Sequence, residues 1–384
     1  MPTRSLFNGT LALAVFAILG GCAETTPATA SDQEAGFRVT TVVEGLEHPW
    51  GMAFLPGGDM LVTERPGRLR VVRNGALVEA PVSGVPEVWS RGQGGLLDVA
   101  LHPDFESTGW VYLSYSKPGP GGTATTAVVR GRFDGSALSD VEEIFEADAF
   151  TENGVHFGSR LAFDGEDHLF VSIGDRGERD QAQNPLNHQG TIVRLHDDGR
   201  VPADNPFVGR ADVRPEIWAT GIRSPQGLAF RPGTDQLWET EHGPRGGDEL
   251  NIIRPEVNYG WPTITYGINY NGTPVGDGIS EAPGLEQPVH YWVPSIATSG
   301  LAFYEGDAFP EWRGSAFVGG LAAVHLARLT LQGDAVVSGE ELLADRGQRI
   351  RDVRVGPDGL IYVLVDSGRA PLWRLEPGTT AGGA

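Results

Sequence analysis

Apolar and polar positions alternate in short runs along this chain, and one run–turn–run unit returns six times. Each unit has an apolar stretch, a turn rich in Pro, Asp and Gly, and a second apolar stretch. The copies read GMAFLPGGDMLVTE from Gly51, LLDVALHPDFESTGWVYLSYS from Leu96, SRLAFDGEDHLFVSIGD from Ser159, GLAFRPGTDQLWETE from Gly227, GLAFYEGDAFPEWRGSAFVGG from Gly300 and VRVGPDGLIYVLVD from Val353. Two β-rich runs joined by a Gly-containing turn read as a hairpin. A second, weaker strand pair follows each hairpin, with runs at Arg68–Val72, Ala127–Phe133, Gly190–Leu195, Glu249–Ile253, Leu326–Leu329 and Leu372–Leu375. Self-similarity of this kind marks a repeat architecture, and four strands per unit predict an all-β fold, a six-bladed β-propeller over residues 37–376. Each copy covers its apolar face with its neighbours, so the pattern predicts one closed domain.

Composition supports the many turns that such a fold needs: Gly (54) and Pro (27) are abundant. No helix-period apolar stripe of convincing length follows the first residues. The formal charge of −21 argues against a nucleic-acid partner, whose binding needs a basic surface. Two stretches, 176–189 and 255–295, are long and rich in Gly, Pro, Asn and charge, and such loops are usually functional.

The first residues read as a targeting segment. Arg4 precedes an apolar run from Leu11 to Leu19 that is too short to span a bilayer. Leu19-Gly20-Gly21-Cys22 then resembles a bacterial lipobox, which makes 1–21 a lipoprotein signal peptide and Cys22 a lipidation site. Cys22 is the sole cysteine, so no intramolecular disulfide can form. Residues 22–36 read as a flexible tether and 377–384 as a tail. The expectation is a periplasmic protein, attached to the cell envelope through its N-terminal lipid alone.

The unusual residues lie beside the repeat cores. His156, in NGVHFGSRL, precedes the third hairpin, and histidine is the usual general base near neutral pH. Gln93 sits among glycines in RGQGGLL, where a ligand can approach the backbone closely. Arg223 precedes the fourth hairpin, and Arg349 and Arg351 stand at strand period two, projecting from one face. Guanidinium groups grip carboxylates in a planar fork, so these arginines could converge on a polyanionic ligand at the axis. The turn EHGPRGGDE, from Glu241, offers backbone carbonyls of the kind that bind Ca²⁺, without EF-hand spacing. Taken singly, each residue also fits a structural role: a core histidine, a tight glycine turn, solvated strand arginines.

Taken together, the segments resemble the soluble quinoprotein glucose dehydrogenase family, and within it the periplasmic aldose sugar dehydrogenases. The resemblance runs from about Leu46 to Leu375 and rests on five motifs in order: GQGGLL-x4-HPDF, HFGSRL with IGDRG, SPQGLAF, EHGP with DE-x-N and NYGWP, and RGQRIRDV with GPDG-x-IYV-L-x-D. It implies a six-bladed propeller with pyrroloquinoline quinone (PQQ) and Ca²⁺ on the axis. It implies His156 as catalytic base, Gln93 beside the substrate, Arg223 near the quinone oxygen, and Arg349 and Arg351 near the PQQ carboxylates. Gly243 and Pro244 match the carbonyl ligands of Ca²⁺, Asp175 an acid at the catalytic end, and Trp292 an aromatic at the sugar site. The implied activity is oxidation of an aldose at C1 to the lactone, with an external electron acceptor. Three positions depart from the family: Val155 replaces an acid, Ser224 an Asn, and Ala322 a PQQ-contacting Lys. Two alternatives remain at this point: a non-catalytic propeller lipoprotein binding a ligand or cell-envelope partner, and a Ca²⁺-dependent lactone hydrolase.

Overall fold

The structure, a computed structural model, describes residues 36–378. The signal peptide, Cys22, the tether up to residue 35 and the tail beyond residue 378 lie outside the described residues. Within them, 24 strands form six four-stranded sheets, each antiparallel. The sheets are the blades of a six-bladed β-propeller. Blade one holds β2 (Pro49–Phe54), β3 (Met60–Glu64), β4 (Arg68–Arg73) and β5 (Ala76–Leu77). The first strand of the described chain, β1 (Phe37–Leu46), belongs to another blade. Blade two holds β6 (Leu96–Leu101), β7 (Trp110–Pro118), β8 (Ala124–Phe133) and β9 (Leu138–Glu146). Blade three holds β10 (Leu161–Phe163), β11 (His168–Ile173), β12 (Thr191–His196) and β13 (Ile217–Thr220). Blade four holds β14 (Pro225–Phe230), β15 (Leu237–Glu241), β16 (Asp248–Ile253) and β17 (His290–Trp292). Blade five holds β18 (Thr298–Phe303), β19 (Ala316–Gly320), β20 (Leu326–Gln332) and β21 (Ala335–Leu342). Blade six holds β22 (Ile350–Val355), β23 (Ile361–Val365) and β24 (Ala370–Pro377), and β1 completes it.

The six hairpins read from the sequence are the first two strands of each blade, and the weaker runs are the third strands. β1 was not foreseen as a strand. It pairs antiparallel with β24, Thr41 opposite Trp373, so both ends of the described chain close the same sheet. This closure leaves no unpaired blade where the ring joins. The segment 255–295 is not wholly loop, because it ends in β17. Apolar side chains fill the spaces between blades: Leu61, Leu69 and Val71 of blade one meet Leu96, Val99 and Leu113 of blade two. Burying each such side chain contributes about 1.5–3 kcal/mol.

The innermost strands, β2, β6, β10, β14, β18 and β22, pack side by side around the axis. Five of them carry a register shift near their start. Such bulges re-aim side chains and are common beside active sites. At the third position of the repeat the chain has Gly51, Asp98, Arg160, Gly227, Gly300 and Asp352. The charged members close the axis: Arg160 lies 3.3 Å from Asp98 and 3.0 Å from Asp352. Arg354, two residues along β22, reaches Asp98 at 3.2 Å and Asp352 at 3.1 Å. The glycines make room for them, since a Cβ on Gly51 would come within 2.5 Å of Asp98 Oδ1. Arg160 also donates to the carbonyls of Gln226 (2.6 Å) and Arg351 (3.2 Å), so the plug forms the floor beneath those two residues.

Candidate active site at one end of the axis

Antiparallel pairing puts the start of each innermost strand and the end of the next strand at one end of the propeller. That end holds a cavity of about 210 Å³. The second residues of β2, β6, β14 and β22 line it: Trp50, Leu97, Gln226 and Arg351. So do the residues just after β3, β15, β19 and β23: Arg65, His242, Leu321 and Asp366. Gln93 and Arg349, on the segments leading into β6 and β22, complete the polar lining.

One wall is cationic. Arg351 and Arg349 both face Asp366 Oδ2, at 3.2 Å and 3.4 Å, while Asp366 Oδ1 faces His48 Nδ1 at 2.9 Å. Burial pushes Arg351 down to about 10 against the pull of Asp366. Burial also opposes ionisation of Asp366, but the Arg351 charge, the His48 hydrogen bond and the Arg65 charge win, holding it below the usual carboxylate range. Three arginines against one carboxylate leave the cavity net positive.

His156 directly precedes Phe157 and Gly158, which line this cavity. Its backbone, at φ +51°, is held in the left-handed region that a β-carbon disfavours, a strain typical of functional positions. Three contacts impose it. The His156 N–H donates to Gln93 Oε1 at 2.7 Å. Arg176 donates to the carbonyls of Asn153 (2.9 Å) and Val155, both just before His156, and its guanidinium lies over Phe157, just after it. The imidazole Nδ1 lies 2.6 Å from Asp175 Oδ1. Asp175 also accepts Gly177 N–H at 2.8 Å and the Trp261 indole N–H at 2.7 Å. A carboxylate with these donors is ionised and acceptor-only, so Nδ1 carries the proton and Nε2 keeps its lone pair. Burial, with help from the Arg223 and Arg176 charges, holds His156 below the usual histidine range, against the opposing pull of Asp175. Burial raises Asp175, but its bonds to His156 and Gly177 and the Arg223 charge bring it below the usual carboxylate range.

Arg223 borders a smaller pocket that shares His242 with the main cavity. Its Nη1 donates to the carbonyls of His242 (2.8 Å) and Gly243 (2.7 Å). The turn around Gly243 is pinned by Asp248, which accepts Gly243 N–H at 3.0 Å and Ala297 N–H at 2.6 Å. Pro244 packs against Gly267 of the long segment. Gln93, Arg349 and Arg351 therefore line the cavity, and His156, Asp175, Arg223 and Gly243 adjoin it.

Trp292 does not reach it. β17 is the outermost strand of blade four, three strands from the axis, and the Trp292 ring packs on His290 in a separate cavity between blades four and five. Its backbone carbonyl, not its ring, serves the site, by accepting Gly247 N–H at 2.8 Å. Ala322 is exposed, and its neighbour Leu321 faces the cavity. Sequence reasoning missed Trp50, Arg65, Gln226, Asp366 and Trp261. The signal for the first four was repeat register: each occupies the position that Arg351 or His242 holds in another blade.

A family model described as Glucose / Sorbosone dehydrogenase matches residues 46–374. This chain belongs to that family. It is 47% identical over 347 residues to "Aldose sugar dehydrogenase YliI" of Escherichia coli (strain K12), covering 89% of this chain and 94% of that protein. Among solved structures, a glucose dehydrogenase superposes with a TM-score of 0.86 at 50% identity, over 89% of this chain and 99% of that one. The PQQ-bound form of an aldose sugar dehydrogenase from Streptomyces coelicolor superposes with a TM-score of 0.73 at 29% identity, over 88% and 98%. Family membership rests on nearly the whole propeller, not on a shared blade motif.

The donor set of the cavity fits a flat anion with several oxygens. Arg65 and Arg351 in the cavity, and Arg223 beside it, each keep a buried Nε–H without a partner, an arrangement costly unless a ligand accepts it. For a cation the offer is smaller. Among the described residues no group of three or more His, Cys, Asp or Glu is arranged to hold a metal. Gly243 O gives one lone pair to Arg223 and retains another. Gly243 and Pro244 would thus supply only neutral carbonyl oxygens, fewer than the roughly six to eight ligands that Ca²⁺ takes.

Proposed function

We propose that this protein oxidises aldose sugars at C1 to aldonolactones, using PQQ and Ca²⁺. The observation that carries the reading is the pairing of a neutral, oriented His156 with a cationic cavity whose arginines keep unpaired donors. Family membership supports sugar oxidation, and a PQQ-bound relative supports the cofactor. When bound, PQQ supplies the oxidant, taking up the two electrons and the hydrogen that leave C1. Gly243 and Pro244 would give Ca²⁺ only two carbonyl ligands, with cofactor, substrate or water supplying the rest, and the ion would serve as a Lewis acid on carbonyl oxygens.

The chain's own residues do the rest. His156 Nε2 takes the anomeric hydroxyl proton as C1 is oxidised, and Asp175 stabilises the imidazolium that forms. Arg223 would stabilise negative charge that develops on an oxygen of the oxidant. Gln93 fixes the backbone of the base and presents its amide to the sugar. Arg349, Arg351 and Arg65 would hold the PQQ carboxylates, and Arg65 brings a cation from blade one where Ala322 lacks the family lysine. The lactone-hydrolase alternative predicts several convergent acidic or Asn ligands at the axis, and the cavity lining contains one acid, Asp366, already engaged by arginines.

In the cell we place the propeller in the periplasm, anchored through Cys22 and passing electrons to an external acceptor. The decisive experiment adds PQQ and Ca²⁺ to the purified full chain and follows dye reduction with a panel of aldoses. Sugar-dependent reduction that requires PQQ supports the reading. Failure to retain PQQ and to reduce dye with any aldose overturns it in favour of a ligand-binding propeller.

A further inference from the structure

We infer that Trp261 is a positioning residue that ties the base pair and Arg223 into one rigid frame; this rests on the reading of His156 as the base. Trp261 donates its indole N–H to Asp175 Oδ2 at 2.7 Å, while the other oxygen of that carboxylate faces His156 Nδ1 at 2.6 Å. Its ring lies under the Arg223 guanidinium, 5.2 Å from ring centre to guanidinium carbon. One side chain therefore touches both the acid that orients the base and the cation that faces the developing charge. Trp261 is itself held by backbone contacts on two sides. Its N–H donates to Gly221 O at 2.9 Å, and its carbonyl accepts Gln183 Nε2 at 2.7 Å. It is 7% exposed, so the indole N–H has no water to turn to.

The geometry also says how this residue acts. Asp175 Oδ1 accepts both His156 and Gly177, and Oδ2 accepts Trp261, so the carboxylate plane is fixed from both ends. A donor on Oδ2 draws negative charge away from His156 and keeps the imidazole from becoming too basic. The charged and titratable groups facing His156 are Asp175, Arg223, Arg176 and His242. Of these only Asp175 favours the protonated base, so weakening its other hydrogen bond strengthens that pull. Trp261 also lies at the head of the long segment 255–295, next to Gln183 of the other long segment. It links both long segments to the chemistry by direct bonds.

The test is Trp261→Phe in the full chain, which keeps a ring under Arg223 and removes the N–H. We expect the pH midpoint of His156, read from its imidazole resonances, to move to higher pH. With PQQ and Ca²⁺ added, kcat should fall roughly tenfold, as for loss of one hydrogen bond to a charged group, with KM changed less than about twofold. A second measurement needs no variant: in the wild-type chain, the Trp261 indole N–H resonance should shift with the same midpoint as His156. An indole resonance flat through that midpoint, or a Trp261→Phe chain with unchanged His156 midpoint and kcat, overturns the inference. Both resonance measurements are made without added cofactor, so they stand apart from the sugar assay. A wild-type chain that oxidises no aldose while its indole follows His156 would overturn the proposed function and leave the coupling intact.

Discussion

Asp366 sets a carboxylate oxygen 3.2 Å from a guanidinium nitrogen of Arg351, so the cationic cavity carries its own counter-anion. Both groups are nearly enclosed, and a buried partner removed from such a pair leaves an uncompensated charge. Asp366→Asn should therefore lower the unfolding free energy of the protein without added ligand by about 3–5 kcal/mol at neutral pH, measured by urea denaturation. The same change should tighten PQQ binding, because the arginines no longer have an internal competitor. The pH dependence has a definite sign. Asp366 is held below its ordinary range, so its contribution is complete above the unfolded value near about 4 and is lost as pH falls through the folded value. The gap between wild type and variant should shrink at acid pH. A variant as stable as wild type at pH 7 would show that His48 and solvent, rather than the arginines, set the energy of this carboxylate.

The base pair makes a second prediction. Asp175→Asn presents a side chain that can donate to Nδ1, which favours the tautomer with the proton on Nε2, where the base needs a lone pair. We expect kcat to fall by about two decades or more while PQQ affinity, measured by fluorescence quenching, changes little. In the wild type, burial holds His156 below the usual histidine range. The acid limb of kcat/KM should accordingly lie below the ordinary imidazole value, with a plateau across neutral pH. A limb above that value would mean that Asp175 overcomes burial in the working enzyme.

Arg65 supplies the third. It lines the cavity, keeps a partnerless buried Nε–H, and holds Gly92 O at 2.9 Å beside Gln93. Arg65→Met should weaken PQQ by one to two decades, the worth of a charge-assisted contact of about 1.5–3 kcal/mol. Arg65→Lys should recover part of the loss, since charge returns without the planar fork. Equal affinity in all three proteins would place the cofactor away from blade one.

Much of this was legible in the chain because period-two alternation and turn chemistry are local. The first three strands of each blade announce themselves that way. β1 does not: its buried residues, Phe37, Val43 and Leu46, are spaced six and three apart, across two register shifts. Gln93, His156 and Arg223 stood out because each is a polar residue just ahead of an apolar repeat core. Asp366 and Arg65 did not, because each sits where a neighbouring blade has a different residue type, and only repeat register reveals that they share an axis. Trp292 came from the family resemblance alone, and the resemblance does not report how many strands separate a side chain from the axis: β17 is the outermost strand of its blade.

The axial plug gives the last prediction, and it explains a residue that the repeats share. Gly51, Gly227 and Gly300 open three of the repeat cores, and a flexible-turn explanation fails for Gly51 because it lies inside β2 with ordinary backbone. What Gly51 provides is space. Its neighbour on the adjacent blade is Asp98, which accepts Leu161 N–H at 3.0 Å and holds Arg160 and Arg354. Gly51→Ala would place a methyl about 2.5 Å from Asp98 Oδ1, and the Asp98 backbone lies only 3.2 Å away, so rotation of the side chain does not relieve the clash. Overpacking of this kind costs about 1–3 kcal/mol. The effect should reach the cavity as well, since Arg160 supports Gln226 and Arg351 from below. We expect a lowered urea midpoint together with weaker PQQ binding. Asp98→Asn in the same background would show whether the two losses have one origin. If charge in the plug transmits the strain, the double variant should lose less than the sum of the two single changes. Strict additivity would mean that the methyl displaces β2 itself and leaves the ion pairs untouched.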